Sequence, residues 1–66
     1  TNKKNNTMNY LDKTINFNGN QFDGHTYLFL DDAELTIDAA GNITDYSGMG
    51  FKRAEKYANT INKKTN

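Results

Sequence analysis

At 66 residues the chain has room for one domain, and folding at this size removes only about 60% of the unfolded chain's surface from water. It contains no cysteine and a single histidine, which excludes a disulfide framework and a thiolate or polyhistidine metal centre, so self-association is a natural source of extra stability. Eight acidic and eight basic side chains cancel to a formal net charge of zero, and the total therefore predicts neither attraction to nucleic acid nor repulsion from it.

The distribution of charge says more than the sum. Residues 1–13 carry Lys3, Lys4 and Lys13 against Asp12; residues 14–51 carry Asp23, Asp31, Asp32, Glu34, Asp38 and Asp45 with no lysine or arginine; residues 52–66 carry Lys52, Arg53, Lys56, Lys63 and Lys64 against Glu55. An acidic middle and a basic end attract each other if they meet in the fold. No apolar run is long enough to span a membrane, and the polar opening Thr1–Asn6 is unlike a signal peptide, so a cytoplasmic protein is expected. Asparagine, lysine, isoleucine, tyrosine and phenylalanine, all read from AT-rich codons, make up 30 of the 66 residues, which fits a low-GC bacterium or a phage or plasmid within one.

Residues 1–9 are polar and aperiodic, and a disordered tail is expected there. Beyond Lys13, Ile15 and Phe17 alternate with Thr14, Asn16 and Asn18, the period of a strand with one buried face. Asn18-Gly19-Asn20 suits a tight turn, and Asp23-Gly24 marks either a strand end after Phe22 or a bulge. His25 to Leu30 is the strongest strand signal, because Tyr27, Leu28, Phe29 and Leu30 are consecutive.

Asp31-Asp32 reverses the chain into Glu34 to Ile37, and the length of that loop decides the faces. A loop of two or four residues pairs Leu28 with Leu35 and sends Tyr27 and Phe29 to the other side; a loop of three residues does the opposite. The next reversal, Asp38-Ala39-Ala40-Gly41-Asn42, reads as a type I turn with glycine in the left-handed position. It is expected to set Ile37 opposite Ile43 and Leu35 opposite Asp45, leaving Tyr46 on the wetter face. Ser47 reads as an N-cap for a helix from about Met49 to Asn62, in which Phe51, Ala54, Tyr57, Ala58 and Ile61 form one apolar stripe. That stripe is expected to cover Leu35, Ile37 and Ile43 with Ile15, Phe17 and either Leu28 or Tyr27. The chain is expected to fray over 63–66.

The fold expected is α+β: a small antiparallel β-meander of three to four strands packed on one C-terminal α-helix, a single domain over residues 10–62. Among candidate chemistries, His25 with Asp23 and the lone Ser47 lacks the spacing of a nucleophile and base, so no enzyme is expected. Asp31, Asp32, Glu34 and Asp38 lack a calcium-loop pattern, and neither metal nor cofactor is expected.

Two surfaces remain. Tyr27, Phe29, Asp31, Asp32, Glu34, Asp45 and Tyr46 combine aromatic anchors with carboxylates, suited to a basic protein surface. On this reading the chain is a non-enzymatic protein-binding module, such as a phage or mobile-element accessory or inhibitor protein. The alternative is anion or nucleic-acid binding at a glycine-rich basic helix start built from Gly48, Gly50, Lys52 and Arg53. Its sheet, however, carries carboxylates where a groove-reading sheet carries arginine and lysine. A third reading is a homodimer or larger homo-oligomer assembled through a sheet edge.

Overall fold

The computed structural model describes residues 10–65, and the tail expected over residues 1–9 lies outside them. Four strands, β1 (Tyr10–Asn18), β2 (Gln21–Phe29), β3 (Glu34–Ile37) and β4 (Ile43–Ser47), are followed by one helix, α1 (Phe51–Thr65). The strands form one antiparallel sheet in the order β1-β2-β3-β4. This is the expected α+β meander with its C-terminal helix. No described helix is long and apolar enough to cross a membrane.

The turn at Asp31-Asp32 takes the three-residue form. Phe29 N–H donates to the Ala33 carbonyl (2.8 Å) and Asp32 N–H donates to the Phe29 carbonyl (3.1 Å), so Leu30, Asp31 and Asp32 form the loop. Asp32 occupies the left-handed region at φ 68°, a conformation that aspartate tolerates better than most side chains. The turn after Ile37 repeats this pattern: Asp38 N–H bonds the Asn42 carbonyl (2.9 Å), Gly41 N–H bonds the Asp38 carbonyl (3.0 Å), and Gly41 holds the left-handed position. The Asp38 carboxylate closes that loop by accepting from Ala40 N–H (3.0 Å) and Asn42 N–H (2.8 Å).

The three-residue loop sets Tyr27 opposite Leu35 and His25 opposite Ile37. Tyr27, Phe29, Leu35 and Ile37 therefore share the face that α1 covers, where they meet Ala33, Ala54, Ala58 and Ile61 in a single core flanked by Ile43, Met49 and Tyr57. Two alanines on the helix bring its backbone close to the sheet. Full burial of a side chain such as Phe29 or Leu35 contributes about 1.5–3 kcal/mol.

Ile15 and Phe17 do not join this core; they are 53% and 62% exposed. The reason is width. The helix follows β4 through a short link and packs beside it. A helix about 10–12 Å across spans the roughly 10 Å from β4 to β2, neighbouring strands being about 4.8 Å apart, and β1 lies one strand further out.

Two boundaries also differ from expectation. Ser47 ends β4 rather than capping the helix, which starts at Phe51 with the Gly50 carbonyl accepting from Ala54 N–H (3.1 Å). At the other end α1 continues through Thr65, past the fraying expected after Asn62.

Candidate functional site

The seven residues read as an acidic aromatic surface are scattered by the fold. Tyr27 and Phe29 are 5% and 2% exposed, locked in the core, so they cannot anchor a partner. Tyr46 also changes side. A bulge between Thr36 and Ile37 sets Leu35 opposite Tyr46 instead of Asp45, which turns Tyr46 toward the helix, where its ring lies 6.0 Å from Phe51. Asp45 and Glu34 project from the opposite face, and Asp31 and Asp32 lie in the turn at the end of the sheet.

The outer face is thus formed by Asp12, Thr14, Asn16, Thr26, Leu28, Glu34, Thr36, Asp45 and Ser47. It holds no aromatic ring. Its centre is a hydrogen-bonded ladder in which Asn16 Nδ2 donates to Thr26 Oγ1 (2.9 Å) and the Thr26 and Thr36 hydroxyls share a bond (3.0 Å). These groups satisfy one another, and the three carboxylates stand around them.

At the helix start, two of the four residues expected to form an anion cradle, Arg53 and Gly48, are engaged elsewhere. The Arg53 guanidinium meets Asp31 Oδ2 at 2.8 Å, donates through Nε to the Tyr57 hydroxyl (3.2 Å), and lies 5.2 Å from the centre of that ring. The hydrogen bond that Arg53 donates to Tyr57, and then the one it donates to Asp31, hold Arg53 above its ordinary pKa, and the bond from Arg53 holds the Asp31 carboxyl below its own. Gly48, at φ 72°, lies against Ala33, where an added Cβ would come within 2.9 Å of the Ala33 Cα; this glycine serves close packing. Gly50 faces open space and Lys52 is exposed, so two of the four residues remain for a ligand.

Catalytic pairing of His25 with Ser47 is ruled out by the register. His25 is opposite Ile37 on the helix side, whereas Ser47 is opposite Glu34 on the outer side. Among the described residues no three His, Asp or Glu side chains converge as metal ligands would.

A different surface emerges from the β1–β2 hairpin. Strand β3 pairs with β2 only from His25 to Leu28, so the rest of the hairpin projects beyond the sheet as a two-stranded arm, drawing the molecule out to 41 Å against 27 and 20 Å. Phe17 is opposite Phe22 and Ile15 is opposite His25, all on the helix side. Phe22 (44% exposed) packs edge-on to His25 with centroids 5.2 Å apart. From there the rings continue through Tyr27 (6.0 Å), Phe29 (6.4 Å) and Tyr57 (4.8 Å), so that one aromatic row runs from solvent into the core. Tyr10 rests edge-on over Tyr27 at 5.1 Å. Burial among these rings, then the charge of Lys13, lowers the His25 pKa.

Comparison with protein-family models, curated proteins and solved structures returns no match for this chain.

Proposed function

We propose that this chain is a non-catalytic protein-binding module that docks its partner on the helix-side face of the β1–β2 arm. The observation behind this reading is the exposure of Tyr10, Ile15, Phe17 and Phe22 on one face of one hairpin, at 42%, 53%, 62% and 44%. With about 150–250 Å² per aromatic side chain, the facing pair Phe17 and Phe22 leaves about 160–270 Å² uncovered beside the exposed Ile15. The arm has no second layer to pack on, so Phe17 and Phe22 add little to the stability of the monomer, and a two-stranded ribbon is marginal by itself. A partner that covers them gains apolar burial at a site already held in shape by the sheet.

Replacing Phe17 and Phe22 together with serine tests the proposal. The double variant is expected to keep its circular dichroism spectrum and to change stability by less than about 1 kcal/mol, since exposed positions tolerate substitution. Its binding is expected to weaken at least tenfold in a pull-down with the tagged chain as bait. Undiminished capture by a folded double variant would end this reading.

A second reading rests on the outward face of α1, where Lys52, Lys56, Asn59 and Lys63 recur at three- to four-residue multiples in one exposed stripe. This is a weaker form of the anion-binding alternative, moved from the helix start to the helix side. Phosphate contacts there predict affinity for DNA or RNA that falls steeply with salt and is lost when the three lysines become glutamine.

A further inference from the structure

We infer that the partner of the arm is a second copy of this chain, joined through β1 in an antiparallel pair about a two-fold axis at Ile15; the inference rests on the docking reading above and specifies its occupant. β1 is a nine-residue edge strand in a chain without proline, and natural sheets rarely leave so long an edge open. The edge is not uniform. Leu11 is the extra residue of a bulge, since Tyr10 is opposite Phe29 while Asp12 is opposite Leu28. The break between Asn16 and Phe17 places its extra residue, Asp23, on β2, so β1 itself is regular over residues 12–18.

The middle of that regular stretch is Ile15. Full antiparallel pairing of residues 12–18 with the same residues of a second copy therefore has one register, centred there. In it Ile15 meets Ile15 of the second copy, Lys13 meets Phe17, Thr14 meets Asn16 and Asp12 meets Asn18. No like charges are opposed. The Lys13 stem lies along the Phe17 ring with its ammonium able to make a cation–π contact, which turns an edge charge that would otherwise discourage pairing into a contact.

Neighbouring registers are worse on chemical grounds. Centring on Lys13 opposes two ammonium groups, and centring on Asp12 opposes two carboxylates. Centring on Thr14 sends Phe17 against the bulged Leu11, where the ladder is broken. Centring on Asn16 shortens the ladder and sets Lys13 against Gly19 in the turn. The Ile15 register also places the two helices on the same side of a continuous sheet, with Ile15 and Phe17 of both copies between them, an isologous closed contact.

Two measurements on the full chain test the inference. Sedimentation equilibrium from about 10 μM to about 1 mM is expected to show mass rising from monomer to dimer, as mass action requires. Ile15→Lys, which opposes two ammonium groups at the axis, is expected to weaken association at least tenfold. Because the chain has no cysteine of its own, Ile15→Cys is expected to form a disulfide-linked dimer on mild oxidation, since directly opposed Cα atoms at about 4.5–5.5 Å fall within disulfide range. Phe22→Cys, on β2 rather than on the strand that pairs across the axis, is expected to form no disulfide-linked dimer under the same oxidation.

A chain monomeric throughout that range overturns the inference, as does a dimer that Ile15→Cys fails to link. In the monomeric case, continued loss of partner capture by the Phe17/Phe22 double variant would leave the docking surface standing with a different occupant. Failure of both would remove the docking reading too.

Discussion

Asp32 carries more of this fold's specification than its exposed position suggests. By holding the left-handed conformation at φ 68°, it permits the three-residue turn that sends Tyr27 and Phe29 inward. Its neighbour supports the same geometry, because Asp31 Oδ1 accepts from Ala33 N–H (3.3 Å) while Asp31 Oδ2 holds Arg53. Glycine adopts this conformation without the Cβ penalty and fills the matching place in the next turn, Gly41. Asp32→Gly is therefore expected to stabilise the protein by about 0.5–1 kcal/mol, and Asp32→Val to destabilise it. Chemical denaturation midpoints compare the three proteins directly, and a lower midpoint for the glycine variant would contradict this account of the turn.

At the scale of elements, the two hairpins do different jobs. The β2–β3–β4 part is covered by α1 and holds the core; the β1–β2 part reaches past it. Gly24 is the hinge between them. It is buried at φ 113°, and a Cβ there would collide with the Ile37 carbonyl oxygen at the end of β3. The bulge at Asp23-Gly24 thus lets β2 pass the end of β3 and continue into the arm. Gly24→Ala combines an unfavourable φ with a backbone collision and is expected to cost about 2–4 kcal/mol. Thermal unfolding of this variant should show that loss, and a melting temperature within a few degrees of the parent would mean that β2 and β3 separate more easily than their packing implies.

For the whole molecule, charge is divided between two sides that face away from each other. The outer sheet face presents Asp12, Glu34 and Asp45, the outward side of α1 presents Lys52, Lys56 and Lys63, and the one ion pair among the described residues joins Arg53 to Asp31. The expectation that the acidic sheet and the basic helix neutralise each other internally is therefore met at a single point. Stability should still depend on pH through three groups. His25 and Asp31 bind protons less readily in the folded state, so their contributions are present above their ordinary pKa values and are lost as pH falls through the lowered ones. Tyr27, buried and then influenced by Tyr10, has a raised pKa, so its contribution is complete below about pH 10 and is lost as pH rises through the raised value. A stability plateau between about pH 7 and pH 10 is expected, with a first decline below about pH 6.5 that disappears in His25→Gln. If that decline persists in the variant, another group is responsible.

The existence and order of the elements were legible in the sequence because period-two and helical spacing are local properties. The Asp38 to Asn42 turn, with glycine at its left-handed position, was readable for the same reason. What the candidate site needed was not local. The residues at Asp31-Asp32 leave the loop length open, whereas the three-residue form buries Tyr27 and Phe29 with Leu35 and Ile37 under α1, and Arg53 meets Asp31 beside it. The bulge that turned Tyr46 inward has no marker at Thr36 or Thr44. The exposure of Ile15 and Phe17 follows from the ratio of helix width to sheet width. The sequence by itself determined a meander of three to four strands, one helix and the segregation of charge; tertiary packing decided which aromatic residues are core and which are surface, because a face is assigned by what lies across it.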